Sequence, residues 1–243
     1  MSGAQLLAWI LAVPMLGAIG VAVTRHNPNL REGVSIAAGV LLFLLVASLA
    51  ATISWDAAPT LVLAEPVQGL ALSLRPEPLG MLFALVASFL WPITTLYALG
   101  YMRAHHEQNQ TRFFTAFAVS IGAAMGIALA GNMLTLFVFY EILSVATYPL
   151  VTHAGTEKAR RAGRLYLGLL MGTSIGFLLL AMVWTWQLTG TLEFTRGGVF
   201  GDEVGAGMLS VLLVLYVFGT GKAAIMPFHR WLPAAMVAPT PVS

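Results

Sequence analysis

Seven apolar runs, each 18 residues or longer, dominate this 243-residue chain: Leu6–Val23, Gly33–Ile53, Leu79–Gly100, Phe113–Gly131, Met133–Val151, Leu165–Leu188 and Gly207–Ile225. A helix needs about 20 apolar residues to cross the hydrocarbon core of a bilayer, and buried helices of soluble proteins seldom sustain such runs. With 58% hydrophobic and only 9% charged residues, the chain lies far from the roughly 25% charged of soluble domains. The expected fold is an all-α integral membrane protein of about seven transmembrane helices. The first run has no Lys or Arg before it, so it reads as a retained span and not as a signal peptide.

The loops orient these spans. Connections after the first, third and fifth runs carry Arg25, Arg31, Arg103, Arg112, Lys158, Arg160, Arg161 and Arg164, eight basic residues against two, Arg75 and Arg196, on the other side. By the positive-inside rule the odd connections are cytoplasmic and the N-terminus is outside. A bacterial-type inner membrane is the expected location. The acids Asp56, Glu65, Glu77, Glu193, Asp202 and Glu203 fall on the outer side. Leu61–Leu63 and Leu70–Leu74, with a turn over Glu65–Gly69, predict a short outer hairpin in the long connection Ser54–Pro78. Thr152–Arg164, with four basic residues and Glu157, reads as an amphipathic segment along the cytoplasmic surface or as a solvated loop.

Several chemistries are excluded. With no cysteine, disulfides, thiolate catalysis and Cys-ligated metals are absent. The five histidines have no metal-ligand spacing, and no Rossmann or P-loop glycine pattern is present, so neither metal nor cofactor is expected. A net charge of +2 spread over separate loops gives no reason to expect nucleic acid. Any enzyme label would describe a translocase of which this chain is a subunit without a redox site of its own. Gly168, Gly172 and Gly176 recur every four residues, as do Gly122 and Gly126. Such stripes let helices approach closely in lipid; we expect packing within this bundle, with a subunit interface as the alternative.

Two ionisable residues lie inside the apolar runs. Glu141 interrupts the fifth and Lys222 the seventh, at an insertion cost of about 2.5–3.5 kcal/mol each near the bilayer centre. Ser144 and Tyr148 follow Glu141 at i+3 and i+7, so one helical face carries a carboxylate, a hydroxyl and a phenol. Gly219, Gly221 and Pro227 surround Lys222 and weaken the backbone ladder, so the seventh helix is expected to be interrupted there. Broken helices at membrane depth recur at transporter ion sites. An acid and a base close together titrate as a coupled pair. Moving one charge across 100 mV is worth about 2.3 kcal/mol, so modest rearrangements can gate transport.

The runs FVFYEILSVATYP (Phe137–Pro149) and KAAIMPFHRWLPAAMVAPTPVS (Lys222–Ser243) resemble the antiporter-like membrane subunits, which include the proton-pumping subunits of respiratory complex I and the large subunits of Mrp-type cation/proton antiporters. Pro78–Gly80, Tyr101–Arg103 and Arg112–Phe114 fit the same pattern, and Thr111–Phe194 is most similar to the D-type Mrp subunits. The resemblance implies that Glu141 and Lys222 transfer protons and that His229 is the histidine following the helix break; Ser144 and Tyr148, on the Glu141 face, are expected in support. It also implies partners in other membrane subunits and the lipid bilayer, with protons moved alone or against Na⁺ or K⁺. Residues 1–112 are then an N-terminal three-helix region and 113–243 the first part of a helical repeat. Family members continue into further helices where this chain stops at Ser243, and a truncated chain is expected in preference to a naturally split subunit. The alternatives are a scaffold subunit or a fragment without its own ion path.

Overall fold

The computed structural model describes residues 1–67, 69–201 and 204–243. Helix α1 (Gly3–Val23) opens on a reciprocal cap: the Gln5 amide donates to Ser2 Oγ at 3.3 Å and the Ser2 amide to Gln5 Oε1 at 2.8 Å. Asn27 caps α2 (Pro28–Thr52), with Pro28 at the first helical position, where its missing N–H costs nothing. The expected hairpin forms from β1 (Leu61–Val67) and β2 (Leu70–Leu74), antiparallel with Leu61 opposite Leu74. Gly69 takes the turn's left-handed φ of +82°. Gln68 and the outer acids Asp202 and Glu203 lie outside the described residues.

Helices α3 (Pro78–Ala104), α4 (Gln110–Ala128), α5 (Met133–Val151) and α6 (Glu157–Thr189) follow, then α7 (Ala206–Gly219) and a short α8 (Trp231–Ala235). Six helices among the described residues are long and apolar enough to cross a membrane. The seventh run behaves differently: α7 ends after 14 residues, about 21 Å at 1.5 Å per residue, short of a hydrocarbon core of about 30 Å. Only short 3₁₀ turns and the five-residue α8 follow it, so the seventh helix is interrupted at Thr220.

α1 packs against α2 and α4, α2 against α3, and α4 against α5, around fully buried Leu7, Ile10, Leu42, Trp91, Met125 and Leu129. A Cβ on Gly126 would collide with the Phe139 ring, so that glycine does let α4 and α5 close up. The stripe on α6 does not pack in this way. Nothing lies within 4 Å of where a Cβ would stand on Gly168, Gly172 or Gly176; the three face outward, and the expected intrachain packing is not made. α6 also corrects the reading of Thr152–Arg164. Glu157 onward is the first turn of α6, with Gly163 set against Tyr148 of α5 and Thr152 just after it. An amphipathic periodicity marks one apolar face, and here that face meets a helix and not the membrane surface. Over Ser174–Leu179 α6 widens into a π-turn.

The two ends of the bundle are tied differently. At the basic end Glu32, buried, accepts from Arg103 through both carboxylate oxygens, and Arg31, also buried, donates to Gln110 Oε1 at 2.8 Å and Thr111 Oγ1 at 3.1 Å. These contacts clasp the ends of α2, α3 and α4. At the opposite end Asn132 accepts from the Thr135 amide (2.9 Å) and donates to Ala71 O (2.7 Å) and Glu193 Oε1 (3.1 Å). One amide thus caps α5 and joins the hairpin to the loop after α6.

Candidate functional site

The site is built where α7 breaks beside the π-turn of α6. A Cβ on Gly219 would lie 2.6 Å from the Leu178 backbone nitrogen, and one on Gly221 would overlap Thr173 Oγ1. Only glycine permits this approach. The chain turns through Gly221–Ala223 as a short 3₁₀ segment, and Ala224 adopts φ +53°. The indole of Trp231 donates to the Gly221 carbonyl at 2.8 Å, tying α8 back to the break. π-turns and broken helices are both frequent at functional positions.

This turn directs Lys222 into α5. Its amide donates to the Tyr140 hydroxyl at 3.0 Å, and its Nζ donates to the Tyr140 carbonyl at 3.1 Å and to Ser144 Oγ. The same Nζ stands 3.6 Å from the Tyr140 ring centroid, a cation–π distance. Ser144 is fully buried and in turn donates to the Tyr140 carbonyl at 3.0 Å. The ammonium is therefore held on the residue before Glu141 and on the residue three after it. Both carboxylate oxygens of Glu141 are buried without a hydrogen-bond partner among the described residues. No direct Glu141–Lys222 ion pair is among the described salt bridges; Lys222, in the turn after α7, is held on Tyr140 and Ser144, which flank Glu141 on α5.

The other expected residues divide. Ser144 belongs to the cluster. Tyr148 does not: its ring lies over Gly163 of α6, since i+7 is a full two turns further along. His229 is exposed in the turn Phe228–Arg230. Tyr140 supplies ring, hydroxyl and carbonyl, and sequence reasoning passed over it because its period did not match the Glu141 face. One turn further on, Thr147 Oγ1 and the Tyr166 hydroxyl are 2.7 Å apart, and Tyr166 meets Trp231 edge-on. The hydroxyl pair thus links α5 to α6, and the Tyr166 ring links both to the strap after the break.

Residues 130–243, which contain all of these groups, match the family model described as NADH:quinone oxidoreductase/Mrp antiporter, transmembrane. A Rhizobium meliloti (strain 1021) protein, named as a probable K(+)/H(+) antiporter subunit of the A/B type, is 31% identical over 180 residues, 73% of this chain and 18% of that protein. A Staphylococcus haemolyticus (strain JCSC1435) chain, named as the putative antiporter subunit mnhA2, is 27% identical over 73% of this chain and 22% of its own length. The chain spans about a fifth of the length of these curated relatives. Both bear A-type names, whereas the segment Thr111–Phe194 reads from sequence as nearest to the D type. Among solved structures, the fold matches a chain of the membrane-bound sulfane sulfur reductase, an archaeal respiratory membrane complex, with TM-score 0.81 at 22% identity over 98% of this chain and 49% of that one. It matches a chain of the Mrp complex from Dietzia sp. DQ12-45-1b with TM-score 0.75 at 24% identity over 98% and 26%. With the broken helix inside the matched segment and a relative 31% identical over 73% of the chain, this protein belongs to the NADH:quinone oxidoreductase/Mrp antiporter family of membrane subunits.

Proposed function

We propose that this chain is an ion-translocating subunit of a multisubunit cation/proton antiporter or NADH:quinone oxidoreductase-like complex, passing protons through Glu141 and Lys222. One observation carries the reading. A helix break delivers the Lys222 ammonium to Tyr140 and Ser144, on either side of a buried carboxyl whose oxygens have no partner among the described residues. Buried polar groups are normally satisfied, and an exception calls for an explanation. A proton, or a charge arriving from a neighbouring element, is the simplest partner for Glu141. Its protonation changes the field at an ammonium held on Tyr140, its neighbour on α5, so the two sites titrate together. Ser144 accepts from Lys222 and can turn its hydroxyl toward a deprotonated amine. His229 enters this reading only by family resemblance, and Tyr148 only by its i+7 position after Glu141.

The wider setting belongs to the same proposal. The eight-to-two distribution of basic loop residues supports an N-terminus outside a bacterial cell membrane, and the family resemblance makes residues 113–243 the first part of a repeat. Partners would be other membrane subunits, as the names of the relatives suggest, and K⁺ is the first counter-ion to try because one relative is named for K⁺/H⁺ exchange. The test replaces Glu141 by Gln in the complete assembly. This keeps size and hydrogen bonding and removes the titratable proton. Pulse-driven pH changes in vesicles should fall at least tenfold while a native gel shows intact assembly, and Glu141→Asp should retain part of the flux. Wild-type flux in Glu141→Gln would make Glu141 a structural acid and this chain a scaffold.

A further inference from the structure

A groove of about 840 Å³ opens between the C-terminal end of α1, the start of α4 and the C-terminal half of α5, on the basic side of the molecule. It is separate from the Lys222 cluster. Its volume is within the range of about 300–1,000 Å³ that accommodates small molecules. Its lining is graded along one direction. Arg25, His26 and Arg112 stand at the mouth, and no carboxylate lines the groove. The Arg112 guanidinium is oriented by donating to the His153 carbonyl at 2.9 Å, and Arg25 Nε donates to His26 Nε2 at 3.0 Å.

One turn further into the bilayer, Thr115 also lines the groove, and its hydroxyl is buried without a hydrogen-bond partner. Ser120, Thr152 and Thr173 elsewhere return their hydroxyls to the carbonyl four residues back; Thr115 does not. Beyond it the wall is apolar, formed by Val119, Val145 and Ala146, and Val145 is 53% exposed. Arg112, Thr115 and Val119 stand in succession along α4 at about 5 Å per turn. That order of cation, hydroxyl and hydrocarbon matches the phosphate, glycerol ester and acyl chain of a phospholipid.

We propose that this groove binds one anionic phospholipid, its phosphate between Arg25 and Arg112, its ester region at Thr115 and an acyl chain along Val119 and Val145. Basic residues beside a membrane draw in anionic headgroups, and two of them together favour an anionic over a zwitterionic lipid by about thirty-fold. A helix of a neighbouring subunit is the competing occupant, and the charge at the mouth favours lipid.

The test places benzoylphenylalanine at Val145 in the assembled complex, reconstituted in nanodiscs of equal phosphatidylglycerol and phosphatidylcholine. After irradiation, mass spectrometry of the peptide should find phosphatidylglycerol adducts in about thirty-fold excess. In the R25Q/R112Q variant the two adducts should become nearly equal, while R196Q, on the other side of the membrane, should leave the excess unchanged. Equal adducts in the unsubstituted background, adducts to a neighbouring protein chain, or an excess that survives R25Q/R112Q would each overturn the assignment. If R25Q/R112Q does not assemble, the unsubstituted background decides alone.

Discussion

Lys222 and Ser144 should be energetically coupled, and the size of the coupling follows from their contacts. Ser144→Ala removes one acceptor from the ammonium, leaving it the Tyr140 carbonyl and ring. A hydrogen bond to a charged group contributes about 1.5–3 kcal/mol, so a loss of about 2 kcal/mol is expected. Lys222→Met keeps an unbranched stem of similar length and orphans no buried group, because Ser144 still donates to the Tyr140 carbonyl. The lost charge-assisted bonds and cation–π contact are offset by removal of a buried charge, so this variant should lie within about 1 kcal/mol of the parent. In the Lys222→Met background, Ser144→Ala forfeits only a neutral bond, about 0.5–1 kcal/mol. The double-mutant cycle should therefore return a coupling of about 1–2 kcal/mol. Reversible SDS unfolding in mixed micelles gives the four free energies. If Ser144→Ala costs the same with and without Lys222, the ammonium is not held by Ser144 and the described site is wrong.

Single cysteines at Ser2 and Lys158 should label from opposite sides of intact cells, and labelling from one side would refute the outward N-terminus. Lys158 is the choice in the first turn of α6 because it is exposed, whereas its neighbour Ala159 is 1% exposed and would not react. His153, just beyond α5, has its pKa lowered chiefly by burial and further by Arg112, against the opposing pull of Glu107. The folded state thus binds fewer protons than the unfolded one below about pH 6.5, and stability should fall as pH drops through that region. Thermal unfolding at pH 7.5 and 5.5 should show this loss, and His153→Asn should reduce it; an unchanged pH dependence would count against the buried neutral imidazole.

The spans were readable because a bilayer leaves a helix few ways to satisfy its backbone, so length and apolarity nearly decide the matter. The break after Gly219 was readable too, since Gly219, Gly221 and Pro227 each remove something a helix needs. Other features leave no such mark. The π-turn at Ser174–Leu179 contains no proline, and only the fold shows that it lies against α7 at Gly219. Arg31 and Arg103 counted as two loop charges in the topology argument, and only the fold reveals that Glu32 draws Arg103 in while Arg31 reaches Gln110 and Thr111. The stripe Gly168, Gly172 and Gly176 announces a close approach but cannot name the approaching surface. Tyr140 was missed because a face drawn from Glu141 leaves out its immediate neighbour, whose backbone carbonyl no side-chain pattern can advertise.

The strap after the break is fixed at two points one residue apart. The Tyr140 hydroxyl holds the Lys222 amide, and the Trp231 indole holds the Gly221 carbonyl. These two groups belong to the same peptide unit, whose atoms move as one rigid plate. Trp231 begins α8, which rests on α6, while Tyr140 is part of α5. Any sliding of α8 relative to α5 therefore pulls the two ends of one plate in different directions and must rotate it. Lys222 hangs from that plate, so a shift outside the cluster arrives at the ammonium as a turn of its stem. The arrangement works as a crank, converting movement between helices into a change in which acceptors the charge can reach.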